Sequence, residues 1–198
     1  AFIYVDMIDF LLEFQFNVAQ HEDATVVFNN NVSARAVSEL RSTPGVLYAE
    51  GYRIVPARLR SGTRTKDVSL YGMPESARLK KLLNVNMQYV KLPAEGMMLN
   101  VRIAKNLRLS PGDTVMVEFL EGQRRTEPVV VSALVEEMLG AGAYMEIGGL
   151  NRMLREDSLI TMAALSVDSK ASDALFSRLR TFPYIATVDT RQAMTGVF

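Results

Sequence analysis

Two segments of this chain repeat one another. Residues 33–50 (SARAVSELRSTPGVLYAE) and 172–189 (SDALFSRLRTFPYIATVD) align without gaps, with identities at Ser33/Ser172, Ser38/Ser177, Leu40/Leu179, Arg41/Arg180 and Pro44/Pro183. Val37/Phe176, Val46/Ile185 and Glu50/Asp189 agree in character, and each copy follows a β-rich run, Ala24–Phe28 or Ile160–Val167. Each copy therefore predicts strand, helix, strand. The helix begins at a Ser or Asp cap, turns Val37/Leu40 or Phe176/Leu179 to one face, and stops before the proline. Two such βαβ units can share one sheet with both helices on one side. The expected fold class is α+β: a split βαβ-repeat domain built from residues 22–58 and 159–198, carrying residues 59–158 as an insertion.

The insertion has its own grammar. Val68–Met73 predicts a strand, Pro74–Asn84 a short helix opened by proline, and Met97–Leu107 a helix with Leu99, Ile103 and Leu107 at spacing four. Ser110-Pro111-Gly112-Asp113 suits a type II turn. Thr114–Leu120 and Thr126–Val135 are β-rich and joined through Glu121-Gly122, a hairpin candidate. Gly140–Ala143 predicts a flexible break, followed by Tyr144-Met145 and a short helix around Leu150–Leu154. The sum is a small β-rich α+β subdomain.

The first 21 residues are expected to form a helix. Asp6, Asp9, Glu13, Asn17 and Gln20 line one narrow face, and the rest is apolar. No run reaches the roughly 18 apolar residues of a membrane span, and no basic start or cleavage site marks a signal peptide. Residues 1–23 hold five acidic residues and no Lys or Arg, whereas residues 33–81 hold ten Lys and Arg. Among these, Arg58, Arg60, Arg64 and Lys66 share even parity about Ser61-Gly62, which predicts one face of a hairpin.

Side-chain chemistry is sparse. The chain has no Cys, one His, and 22 basic against 22 acidic residues. That excludes disulfides and thiolate metal sites, leaves little for a His-based site, and argues against a nucleic-acid partner. His21-Glu22-Asp23 is expected to be a surface cluster, and Glu136-Glu137 could be half of an acid/base pair. The glycines at 140, 142, 148 and 149 lack the spacing of a nucleotide loop. No catalytic, cofactor or metal residue is assigned, and the chain is expected not to be an enzyme. Of eleven Met, Met97, Met98, Met138 and Met145 predict core filler, with an adaptable binding surface as the alternative. Partner contact is expected at Met138, Leu139, Tyr144 and Met145, as exposed apolar side chains around the Gly-rich break.

In order and spacing, Glu22–Phe28, Ser42–Gly62, Val68–Pro74, Gly96–Phe119, Gly140–Leu154 and Phe182–Arg191 resemble the extracytoplasmic domain of FtsX-like ABC-transporter permeases, including MacB-type and lipoprotein-releasing permeases. The resemblance implies a Porter-like split domain, a Sabre-like insertion, and a membrane-proximal stalk helix over residues 1–21, with both ends facing the membrane. It further implies a periplasmic or cell-surface location, a cytoplasmic ABC ATPase partner acting through membrane helices absent from this chain, and a second permease copy. The function implied is transmission of ATP-driven change to an extracytoplasmic protein or lipid substrate. The alternative is a lipid-, lipoprotein- or peptide-binding module of the same system. No hook or pad motif of the lipoprotein-releasing subgroup is present, which leaves the substrate open.

Overall fold

The structure, a computed structural model, describes residues 18–137 and 142–190. In chain order the elements are β1 (Val18–Gln20), β2 (Ala24–Ser33), α1 (Arg35–Arg41), β3 (Val46–Ser61), β4 (Arg64–Met73), β5 (Lys80–Leu82) and β6 (Met97–Asn100). There follow α2 (Val101–Leu107), β7 (Thr114–Phe119), β8 (Thr126–Val135), β9 (Gly142–Glu146), α3 (Ile147–Leu154), β10 (Leu159–Val167), α4 (Ser172–Leu179) and β11 (Ile185–Thr190).

Among the described residues, one sheet runs β11-β2-β10-β3-β4-β9-β6-β8-β7, and a further β3–β7 pairing closes its second part into a ring. The first part, β11-β2-β10-β3, is antiparallel throughout. In it β10 lies between β2 and β3, and β2 lies between β10 and β11. The ring β3-β4-β9-β6-β8-β7 mixes antiparallel pairs with parallel β4/β9 and β6/β8 pairs. Strand β3 belongs to both parts. Its first half pairs with β10 as far as Tyr52, and from Arg53 onward it pairs with β4.

Alternation along the strands assigns the cores. On β2, Ala24, Val26 and Phe28 face the helices. The buried residues of β10 divide between two cores, Ile160, Ala163, Leu165 and Val167 on the helix side and Met162 and Ala164 on the other. A bulge between Ile160 and Met162 shifts the parity. Helices α1 and α4 bury Ala36/Leu40 and Leu175/Leu179, one turn apart and aligned in the repeat. The expected Val37 and Phe176 pack half-buried beside them. The expected side-chain caps do not form: the cap positions are Ala34 and Ala171, and Ser33 Oγ only accepts from Arg35 N at 3.2 Å. The ring encloses a third core containing Val55, Ala57, Leu59, Leu70, Val117 and Phe119.

Several sequence expectations change. Pro74–Asn84 is not helical. Leu79, Leu82 and Leu83 sit at helix-like spacing, but the chain is held open by tertiary partners, with β5 pairing β1 and the N–H groups of Arg78 and Leu79 bound by Glu50. Met97–Asn100 is a strand, and the helix starts only after it. Asn100 is its cap, its side-chain oxygen accepting from Arg102 N at 2.8 Å. Gly142 and Ala143, expected in a flexible break, are buried in β9. Val18–Gln20 are extended rather than helical, and the rest of the expected stalk helix, residues 1–17, lies outside the described residues. The Ser110–Asp113 turn and the β7–β8 hairpin are present, with Asp113 N donating to Ser110 O at 3.0 Å and Gly112 at φ 97°.

Candidate functional site

Where β3 changes partners, both its faces carry buried polar groups. On the face shared with α1, Ala49 and Gly51 point at the helix-covered core, while Val55, Ala57 and Leu59 point into the ring. Arg53 lies between them, 1% exposed. Its guanidinium donates to Asn151 Oδ1 at 2.7 Å and Glu156 Oε2 at 2.8 Å, with Glu121 Oε1 at 3.6 Å. Helix α3 supplies Asn151 and joins both cores, since Ile147 packs on the helix side and Leu150 and Leu154 on the ring side. Asn31 on β2 donates to Glu121 Oε1 at 3.3 Å, and Thr161 on β10 donates to Asn31 Oδ1 at 3.0 Å. Thr161 Oγ1 in turn accepts from Ile54 N at 3.0 Å. A buried cation is costly without partners, so the strands and loops that supply them are held in register.

On the opposite face, Glu50 accepts from Arg78 N at 2.6 Å, Leu79 N at 3.0 Å and the Tyr52 hydroxyl at 2.6 Å. Burial first, then the Glu50 charge, drives the Tyr52 phenol far above its usual range, so it serves as a donor. Lys80 Nζ donates to Glu22 Oε1 at 2.6 Å, both side chains 3% exposed. These bonds pin the β1–β5 ribbon and residues 74–83 over the sheet, above a core with Tyr71 and Tyr144 stacked 5.4 Å apart. Lys80→Met is expected to cost about 3–5 kcal/mol in urea unfolding, because it strands the Glu22 carboxylate. Adding Glu22→Leu should restore most of it. Equal stabilities of the single and double variants would show that the pair is not desolvated.

The predicted site residues fall differently. Tyr144 is 0% and Met145 4% exposed, both inside β9, so neither presents the expected apolar surface. Met138 and Leu139 lie outside the described residues. Met97, Met98 and Met145 are core residues. Glu137 is buried and takes hydrogen bonds from the Tyr144 hydroxyl, Asn100 Nδ2 and Gly142 N. Its carboxylate thus ties β9 to the end of β6, while Glu136 is exposed. The His21–Asp23 cluster splits: His21 is exposed, Glu22 is buried, and Asp23 accepts from Val167 N at 2.8 Å.

The basic hairpin also splits. Ser61 pairs Arg64 and Arg58 pairs Asp67, so even positions on β3 oppose odd positions on β4. Arg58 and Arg60 take one face, and Arg64 and Lys66 the other. The Arg58 guanidinium bonds Asp67 at 2.7 Å and holds its carboxyl below the usual carboxylate range, on an exposed face where such a pair adds little stability. Among the described residues, no group of acidic or imidazole side chains could hold a metal ion, and no helix is long and apolar enough to cross a membrane.

Sequence reasoning missed Arg53, Glu50, Asn151 and Glu156. The available signal was two charges, Glu50 and Arg53, inside an otherwise largely apolar strand from Ala49 to Ala57.

No family model and no curated protein matches the chain. Solved structures do. The periplasmic region of MacB from Actinobacillus actinomycetemcomitans superposes with a TM-score of 0.57 at 14% identity, covering 89% of this chain and 92% of that one. The extracellular domain of the noncanonic ABC-type transporter YknZ from Gram-positive bacteria gives 0.55 at 11% identity, covering 85% of this chain and 98% of that one. The chain thus has the fold of the periplasmic or extracellular domain of an ABC-type transporter of the MacB kind.

Proposed function

We propose that this chain is the extracytoplasmic domain of an ABC-transporter permease and relays ATP-driven motion of membrane helices to a substrate or partner protein. In this reading β2–α1–β3 and β10–α4–β11 are two split βαβ units forming the Porter-like part, residues 22–58 and 159–198. Residues 59–158 are the inserted Sabre-like part, residues 1–21 include a stalk leading to the membrane, a cytoplasmic ATPase supplies energy, and two permease copies act together. The domain itself performs no catalysis. The observation that carries the reading is the unbroken β3, which passes from the repeat sheet into the ring and is clamped by Arg53 where it crosses. A relay needs such a stiff connection, because a loose joint would dissipate displacement as local motion.

The test uses the full permease with its ATPase in lipid nanodiscs. Thr63, at the exposed tip of the β3–β4 hairpin, is changed to Cys and spin-labelled, the described chain having no other cysteine. The distance between the two copies' labels is expected to change on ATP binding, whereas a Thr63/Ser172 label pair within one chain keeps its distance. Identical inter-copy distances with and without nucleotide would overturn the relay.

A further inference from the structure

Apolar side chains are displayed to water where the local backbone resists displaying them. The loop after β5 holds Val85, Met87 and Tyr89 at 39%, 63% and 62% exposure. It is fixed in place. Asn84 Oδ1 accepts from Asn86 N at 2.9 Å and Gln88 N at 3.0 Å, Asn84 Nδ2 donates to Gln88 Oε1 at 3.1 Å, and Val85 N donates to Glu136 O at 2.7 Å. Met87 N also donates to Asn84 O at 3.0 Å, and Met87 then adopts φ 59°. That left-handed position, after a turn, is one that glycine or asparagine fills at little cost and methionine fills under strain. A tight loop with a strained, exposed Met is locally unfavourable twice over, and strain of this kind is a pointer to function.

Beside the loop lies a groove of about 280 Å³ floored by Met73, Leu82, Val90 and Leu92. Lys81 and Lys91 stand on its walls, against Glu75 alone as a carboxylate. Lys81 Nζ sits 5.1 Å from the centre of the Tyr89 ring, and the Tyr89 hydroxyl meets His21 Nε2 at 3.2 Å, so Tyr89 is held at the groove's rim. Tyr89 on the rim of an open apolar trough, with the exposed Met87 on the adjoining loop, suits a protein partner, and the surplus of ammonium groups selects an acidic one.

We infer that this loop and groove form a docking surface for an extended, acidic segment of a partner protein, with alternate apolar side chains in the trough and carboxylates on Lys81 and Lys91. The inference goes beyond the relay reading and stands without it. The test titrates the full 198-residue chain with two fluorescent peptides, one alternating Leu and Glu, the other Leu and Lys. The Glu peptide is expected to bind saturably and at least about tenfold more tightly than the Lys peptide. Lys81→Glu with Lys91→Glu should reverse that order. Met87→Gly removes the side chain while suiting the backbone, so it should weaken Glu-peptide binding about tenfold with no fall in melting temperature. Equal affinity for both peptides would overturn the proposal, as would unchanged binding by the Met87→Gly chain. Binding confined to phosphatidylglycerol vesicles, with neither peptide taken up, would overturn it in favour of a membrane surface.

Discussion

Replacing Gly96 with alanine is expected to cost about 4–5 kcal/mol and to lower the melting temperature by roughly 10–15 °C. Gly96 precedes β6 with φ 76°, where an L side chain alone costs about 1–2 kcal/mol. A Cβ there would also stand 2.0 Å from Ser132 Oγ and 2.6 Å from Val130 O. The carbonyl belongs to β8, the strand beside β6, so it can withdraw only if their parallel pairing opens. Ser132 Oγ can rotate, but it would lose its 2.7 Å bond to Glu95 O. The clash therefore divides into a part that yields and a part that does not. Ser132→Ala in the Gly96→Ala background should recover only about a third of the loss, since the φ strain and the Val130 contact persist. Thermal melting by circular dichroism decides it: a shift below about 3 °C would mean that β6 and β8 separate more easily than their packing implies.

How much of this was legible in the sequence depends on how local each determinant is. The repeat gave the order of the outer elements because Leu40/Leu179 and the prolines act within a few residues of themselves. The β7–β8 hairpin and the Ser110–Asp113 turn were legible for the same reason. Pro74–Asn84 misled because its leucine spacing fits a helix, and the partners that make the extended form cheaper, Glu50, Tyr52 and β1, are far away in sequence. The basic hairpin misled through arithmetic: with Ser61 opposite Arg64, parity inverts across the turn, and no residue type records that. Tyr144 and Met145 were expected at the surface because Gly140–Ala143 looked like a loop, yet Gly142 and Ala143 pair with β4 as a buried strand. The polar junction was the least legible feature. Asn31, Arg53, Glu121, Asn151, Glu156 and Thr161 converge from four elements and two loops, and only the folded junction brings them together.

That convergence makes Arg53 the residue whose loss should separate folding from function. Arg53→Met keeps much of the buried stem but removes the charge, leaving Asn151 without its donor and Glu156 and Glu121 without a cation. Asn151 is buried, whereas the two carboxylates are about one-third exposed and can rehydrate, so the loss falls below that of a fully buried pair. About 2–3 kcal/mol is expected in urea unfolding of the chain, which a domain of ordinary stability survives. The two β-layers would still be joined by β3, but without the clamp that fixes the angle at which it crosses. In the permease proposed above, the Thr63/Ser172 distance distribution should then broaden while ATP hydrolysis continues, and export or partner activation should fall more than tenfold. Arg53→Lys separates charge from geometry, because an ammonium group can meet one carboxylate but cannot hold Asn151 and Glu156 in a planar fork. It should recover part of the stability and little of the coupling. Coupling that followed stability alone across Arg53→Lys and Arg53→Met would show that the junction only holds the fold together and does not set its stiffness.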